Sequence, residues 1–447
     1  MRNKPGSILT LKYIDTDPPY ISYGKFNVAM FYMEYWSNAD GGSKIAAKLF
    51  IPIGDPPKEG WPVKVWLHGF GGPGYDYWRW PVEKYWKDNE RGYAAGISFS
   101  NHGFISLCPW VTGSGPSEPF ATYSPLSLKR NAQAAYDGFI ALKNLSEYFY
   151  QNPELVKKAK VKVIVDNDRQ VMSTNCISSP TLIYFAAHLK EHPEINNIKC
   201  FIADVFQPSI AYIIYCVSPW ALKAEGRVGA AAFSLWAGPI WCLAEREKWD
   251  MSLFFTEKAI ELFNEPLKTY VGTFSLMRGS ILEPLEESHV APKLYEAVKK
   301  DVGRKPTTKE IVDWMYTDNM KRLLEYKSMD EILADDFYQK FFADYDPFFE
   351  TNIEPFSIDI PLLVVANGEI TSQPSGADGL PGGARRYYCM TEPRIRTLQK
   401  WGWKVHVFFK EGVKAISFHE NPGHKWVIKK LVKILYPDGL PEQLRRI

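Results

Sequence analysis

The sequence predicts an α/β fold, with a mostly parallel central sheet flanked by helices and interrupted by a large helical cap insertion. Three observations carry this expectation. Short apolar runs alternate with helically spaced segments on both sides of the chain's middle, the rhythm of a parallel sheet with crossover helices. From about Val205 to Phe356 that rhythm stops, and helical segments follow one another with no strand pattern between them. At 447 residues the chain also exceeds what one hydrophobic core usually holds. The expected organisation is residues 1–204 as the first part of the core, 205–356 as the helical lid or cap, and 357–447 as the second part.

Taken in order, Lys44 to Ile53 alternates loosely and ends in the turn Asp55-Pro56-Pro57-Lys58-Glu59-Gly60, as an early antiparallel strand does. Trp61 to Leu67 is a second strand. Gly103 to Trp110 is a third, apolar enough for burial on both faces. Leu126 to Tyr148 has helical spacing, with Ala132, Ala135, Phe139, Leu142 and Leu145 on one side. The strand around Val171 and the helix Pro180 to Leu189 follow. Within the insertion, Phe255–Phe263, Ala291–Val302 and Thr308–Tyr326 read as helices. Strands return at Ile360–Ala366 and Lys404–Phe409, separated by a helix at Glu392–Lys400, and Trp426–Leu435 is the closing helix. A sheet of about eight strands is expected.

Apolar residues make up 46% of the chain, with 15 Trp, 25 Tyr and 26 Phe, which points to an aromatic-rich core or pocket. The net charge of +2, without long Lys/Arg runs, favours neither nucleic acid nor an anionic membrane as partner. No apolar run approaches the roughly 18 residues of a membrane span. Ile8 to Asp15 is too short and polar for a leader's apolar region. Cysteines 108, 176, 200, 216, 242 and 389 lie far apart with no Cys-x-x-Cys, which argues against a zinc cluster or a disulfide scaffold. A reducing cytoplasm is the simplest compartment, and no cofactor is implied.

Three motifs carry chemistry. His68-Gly69-Phe70-Gly71-Gly72 ends the second strand; its Gly-x-Gly-x-x-Gly from Gly69 to Gly74 opens no helix, and no acidic residue about 20 positions on suits ribose, so dinucleotide binding is set aside. Asp166-Asn167-Asp168-Arg169 leads through an apolar strand to Thr174-Asn175-Cys176-Ile177-Ser178 and a helix of small apolar residues. Phe418-His419-Glu420-Asn421-Pro422-Gly423-His424 opens the last helix. His419 and His424 lack a cysteine or carboxylate cluster at ligand spacing, so a metal is not expected at this pair.

Together these segments resemble the α/β-hydrolase superfamily over roughly residues 44–204 and 357–440, with the insertion placed like the lid of lipase- and esterase-like members. The resemblance puts Cys176 in the nucleophile slot usually held by serine, with Thr174 and Ser178 replacing the flanking glycines. It implies an oxyanion hole from the backbone N–H groups of Phe70 and Ile177. Gly103 to Gly115 is similar to the family's fourth strand, with Trp110 and Thr112 replacing the usual Asp and Arg. The implied base is His424, with His419 as second choice, while His406 is read as structural. The acid slot after Ala366 holds Thr371, which leaves Glu369, favoured, or Asp378 to orient the base, or no acid at all. A thiol depends on that acid less than a hydroxyl does, being far easier to ionise.

The implied function is hydrolysis of an ester, thioester, lactone or amide of a small molecule through Cys–His nucleophilic catalysis. Acyl transfer, a redirected lyase, cyclase or isomerase, and a non-catalytic binding protein are the alternatives. The aromatic residues Trp220, Trp236, Trp241, Phe254 and Phe255 suggest an apolar or aromatic substrate, unless they simply pack the lid. The sequence does not fix the oligomeric state.

Overall fold

The computed structural model describes residues 4–14, 26–68, 96, 98–110, 128–175, 178–192, 195, 197–204, 206, 211, 214, 237, 240–241, 243–245, 247–268, 290–326, 328–346, 353–366, 387, 391–413 and 422–445. Their sheet comprises β1 (Ile8–Ile14), β2 (Asn27–Ser37), β3 (Ser43–Ile53), β4 (Trp61–Leu67), β5 (Ile105–Pro109), β6 (Val165–Asn175), β7 (Ile198–Asp204), β8 (Leu362–Val365) and β9 (Val405–Phe408). The order across the sheet is β1-β2-β3-β5-β4-β6-β7-β8-β9. Neighbours from β5 to β9 run parallel. The edge β1-β2-β3 is antiparallel and joins β5 antiparallel. Strands covered on both faces need near-continuous apolar runs, and every residue of β4, β5 and β8 is buried.

Nine strands stand against the expected eight or so, and β1, β2 and β7 are the ones that no segment read from the sequence covers. Ile8 to Asp15 reads from sequence only as a segment too polar for a leader, yet seven of these residues form a strand that pairs with β2. β2 in turn pairs with β3 from Asn27↔Ile53 to Ser37↔Ser43. Long-range pairing makes these strands, and no local pattern announces it.

The first helices are α1 (Leu128–Lys143), α2 (Leu145–Gln151), α3 (Pro153–Ala159) and α4 (Thr181–Glu191). The single helix expected over 126–148 is broken at Asn144, whose Nδ2 reaches the Gly6 carbonyl at 3.5 Å. Asparagine side chains compete in this way for backbone partners and interrupt helices. α1 is seated on the sheet by Tyr35, whose hydroxyl donates to the Ala134 carbonyl at 2.7 Å. Gly138 permits that approach, since a Cβ there would meet Leu107 and Tyr35 at 3.2 Å.

Between β7 and β8 the described residues form α5 (Glu257–Lys268), α6 (Val290–Val302), α7 (Thr308–Met315), α8 (Asp318–Glu325), α9 (Met329–Ala334) and α10 (Asp336–Phe341), with short 3-10 turns. The helix expected over 308–326 is two, because Tyr316 turns extended (φ −109°, ψ 148°) and bridges Phe255. The Thr317 hydroxyl fixes the break by donating to the Leu253 carbonyl at 2.8 Å. α7 starts at a capping box, Thr307 with Glu310. These helices share a core of their own that includes Phe254, Leu294, Met315 and Tyr338. After β8 come α11 (Glu392–Lys400) and α12 (Pro422–Leu435), the latter opened by proline at its first position.

Candidate active site

β6 lies between β4 and β7, and its residues Val171 to Thr174 are fully buried. In a parallel sheet ligands gather at the carboxyl ends of the strands, here just past Leu67, Asn175 and Asp204. Cys176 and Ile177 follow Asn175 and lie outside the described residues, as do Phe70, Glu369, Asp378 and His419. Their flanks are described and carry the geometry. Ser178, in one of the slots where glycine is usual, donates its hydroxyl to the His68 carbonyl at 2.5 Å. This bond ties Ser178, two residues after Cys176 in the chain, to His68 at the end of β4. Thr174, in the other slot, is fully buried between Leu67 and Ala203.

The acidic approach to this strand is an anchor. Residues 167–169 form an irregularity in the β4–β6 ladder. Asp166 accepts from the Asp168 N–H at 2.9 Å and pairs with Arg169 at 2.5 Å. Arg169 Nε then donates to the Leu435 carbonyl at 2.9 Å, its guanidinium stacked over Tyr436. Arg169 thereby binds β6 to the end of α12, whose first turn holds His424.

His424 is 2% exposed. Its ring stands edge-on to Phe99 at 5.6 Å and to His102 at 5.2 Å. His102 lies in the turn ahead of β5, with Nδ1 donating to the Ser98 carbonyl at 2.5 Å. A cleft of about 400 Å³ opens beside the pair, with Lys425, Lys429 and Lys433 on its wall. Of the two candidate bases, His424 is therefore buried against the residues that lead into β5. The third histidine, His406, is exposed on β9.

The sheet face beneath is unusually polar. The strand registers place Lys48, Cys108, Ser106, Lys64, Ser173 and Asp204 on one side. Lys64 is fully buried, its Nζ 3.2 Å from the centroid of Phe99 and without a hydrogen-bond partner among the described residues. Burial pulls its ammonium down to about 7, against the opposing pull of Cys108 and Asp204. Burial likewise pulls Lys48 well below the usual lysine range and pushes the Cys108 thiol up to about 12. Asp204, fully buried at the carboxyl end of β7, accepts from Asn175 Nδ2 at 3.4 Å. Asp204 has no signal in the sequence, since nothing in a mostly apolar strand singles out its terminal residue.

Of the five aromatic residues expected in the lid, Trp241, Phe254 and Phe255 are buried and pack on one another, at 5.6 Å and 6.5 Å between centroids. Phe255 also stacks on Tyr316 at 5.7 Å. They belong to the core of the helical segment, while Trp220 and Trp236 lie outside the described residues. No helix among the described residues is long and apolar enough to cross a membrane.

No family model matches the chain, and no curated protein matches it by sequence. Solved structures do. A ligand-bound form of the rice cell wall degrading esterase LipA from Xanthomonas oryzae superposes with a TM-score of 0.55 at 13% identity, covering 97% of each chain. A hydrolase candidate from Legionella pneumophila gives 0.55 at 13% identity, covering 96% of this chain and 97% of its own. Candida antarctica lipase A in its closed state gives 0.51 at 12% identity, covering 91% of this chain and 76% of its own. At such identities the likeness establishes the fold, which is that of the α/β-hydrolases.

Proposed function

We propose that the protein is a hydrolase that cleaves an ester, thioester, lactone or amide through a cysteine nucleophile. The observation that supports this reading is the Ser178–His68 hydrogen bond, which joins residues flanking the two turns from which the oxyanion hole would be built. The Cys176 thiolate attacks the acyl carbon, forming a sulfur–carbon bond and an oxyanion held by the N–H groups of Phe70 and Ile177. As the tetrahedral adduct collapses, His424 passes the thiol's proton to the leaving group. It then takes a proton from water, which attacks the thioester, and the acid product leaves with the thiolate restored.

Glu369 orients the base in this scheme. Asp204 joins Glu369 and Asp378 as a candidate, being buried at the strand end beside Asn175. The substrate is a small molecule with an apolar or aromatic acyl or leaving group. With three of the five aromatics committed to packing, that preference rests on Trp220 and Trp236. A reducing cytoplasm suits a free nucleophilic thiol.

A screen of p-nitrophenyl esters and acyl thioesters with wild type and Cys176→Ala tests the reading. Turnover by wild type that falls by about 100-fold or more in the variant is the expected result. Fast iodoacetamide labelling of Cys176 near neutral pH should accompany it. Near-wild-type turnover by Cys176→Ala would overturn nucleophilic catalysis and leave proton-transfer chemistry on the same fold.

A further inference from the structure

The last turn of α4 carries His188 and Glu191 and is capped by His192, so the three are spaced i, i+3, i+4. Residues so spaced share one helix face. Their ligand atoms lie within 4.8 Å of one another. The two imidazoles overlap at 4.2 Å between centroids, tilted by 31°. Ligands at about 2.0–2.2 Å from a common Zn²⁺ sit some 3–3.5 Å apart, so small rotamer changes would gather all three.

The surroundings fix this arrangement. Tyr136 on α1 stands edge-on to His188 at 4.6 Å and to His192 at 6.1 Å. Its hydroxyl donates to the His192 carbonyl at 2.9 Å, which holds the end of α4 against α1. The carboxyl end of a helix favours positive charge. His188 is half-buried while Glu191 and His192 are exposed, so an ion can enter from solvent and keep water on its open positions.

We infer that His188, Glu191 and His192 form a binding site for a divalent late first-row transition metal, represented by Zn²⁺. Imidazole with carboxylate suits Zn²⁺, Ni²⁺ and Cu²⁺, and not Ca²⁺ or Mg²⁺, which want all-oxygen sets. Seven helical residues, Thr181–Ala187, lie between the start of α4 and His188, about 10 Å of rise. The ion is therefore a clamp on α4 and takes no part in the acyl chemistry. It crosslinks the final turn of the helix that begins at Thr181, five residues after Cys176 in the chain.

The test is calorimetric titration of the chelator-treated full chain with ZnCl₂, followed by thermal unfolding with and without the metal. One equivalent should bind with a Kd on the order of micromolar, and saturating Zn²⁺ should raise Tm. His188→Ala and His192→Ala should weaken binding by about 100-fold and Glu191→Gln by about 10-fold, ligands mattering at least as much as the groups behind them. Co²⁺ substitution should give d–d bands without thiolate charge transfer, which separates this site from the cysteines. Absence of binding, binding unchanged in both histidine variants, or a thiolate signature would overturn the assignment. Glu191→Gln with wild-type affinity would overturn the three-ligand site.

Discussion

At the scale of single residues, one departure from the usual glycine pattern is accommodated chemically. Ser178 replaces a glycine and uses its hydroxyl to hold the His68 carbonyl. Ser178→Ala should cost about 1 kcal/mol of stability in denaturant unfolding, the usual worth of a buried hydrogen bond. It should also lower kcat more than it raises KM, since the arms of the proposed oxyanion hole lose their tie. Unchanged stability and kcat would show the bond to be incidental. The choice of base is also a residue question, because His424 packs against Phe99 and His102. His424→Asn should reduce kcat by about 100-fold or more if it is the base. If His419→Asn does so instead, while His424→Asn lowers only Tm, the base lies five residues earlier.

At the scale of elements, the fold is legible in the chain where burial forces an unmistakable pattern. β4 and β5 are wholly buried, and their apolar runs between turn residues mark them from sequence alone. β1 and β2 are hidden, because what makes them strands is partners distant in sequence. Helices announce themselves but their breaks do not: Asn144 and Tyr316 interrupt otherwise continuous helical spacing through tertiary contacts. Of the site, the order of the motifs is readable from the chain, whereas the orienting acid depends on which carboxylate the fold brings near, and Asp204 carries no local signal. The Asp-x-Asp-Arg approach reads as a loop, and its anchoring of α12 has no mark in the sequence. Arg169→Ala should lower stability by about 1.5–3 kcal/mol, since Asp166 and the Leu435 carbonyl both lose a charged donor. Urea unfolding of the variant checks this, and a change below about 0.5 kcal/mol would contradict the anchor.

At the scale of the whole molecule, the polar face under Phe99 makes stability depend on pH. The unfolded chain holds a proton on Lys64 up to its ordinary value of 10.5, while the folded chain releases it near 7. The unfolded state thus binds more protons between these values, and stability rises with pH across that window. Lys64→Met should be more stable than wild type at pH 7, with an advantage that shrinks by about 1.4 kcal/mol per pH unit up to pH 9. Above pH 9 the raised Cys108 thiol opposes the trend, because the unfolded thiol ionises first. Denaturant unfolding of both proteins at pH 7, 8 and 9 measures the slope; a difference independent of pH would show Lys64 to be charged in the folded state throughout.

The claim that joins these scales is that acyl groups pass through the sulfur of Cys176. Rapid acid quench of the enzyme during turnover of p-nitrophenyl acetate, followed by peptide mass mapping, reads it directly. An acetyl group is expected on the peptide containing Cys176, at that sulfur, and is expected to be absent from Cys176→Ala. Acetylation confined to another side chain, or turnover with no acetyl on Cys176 and undiminished in the alanine variant, would contradict it.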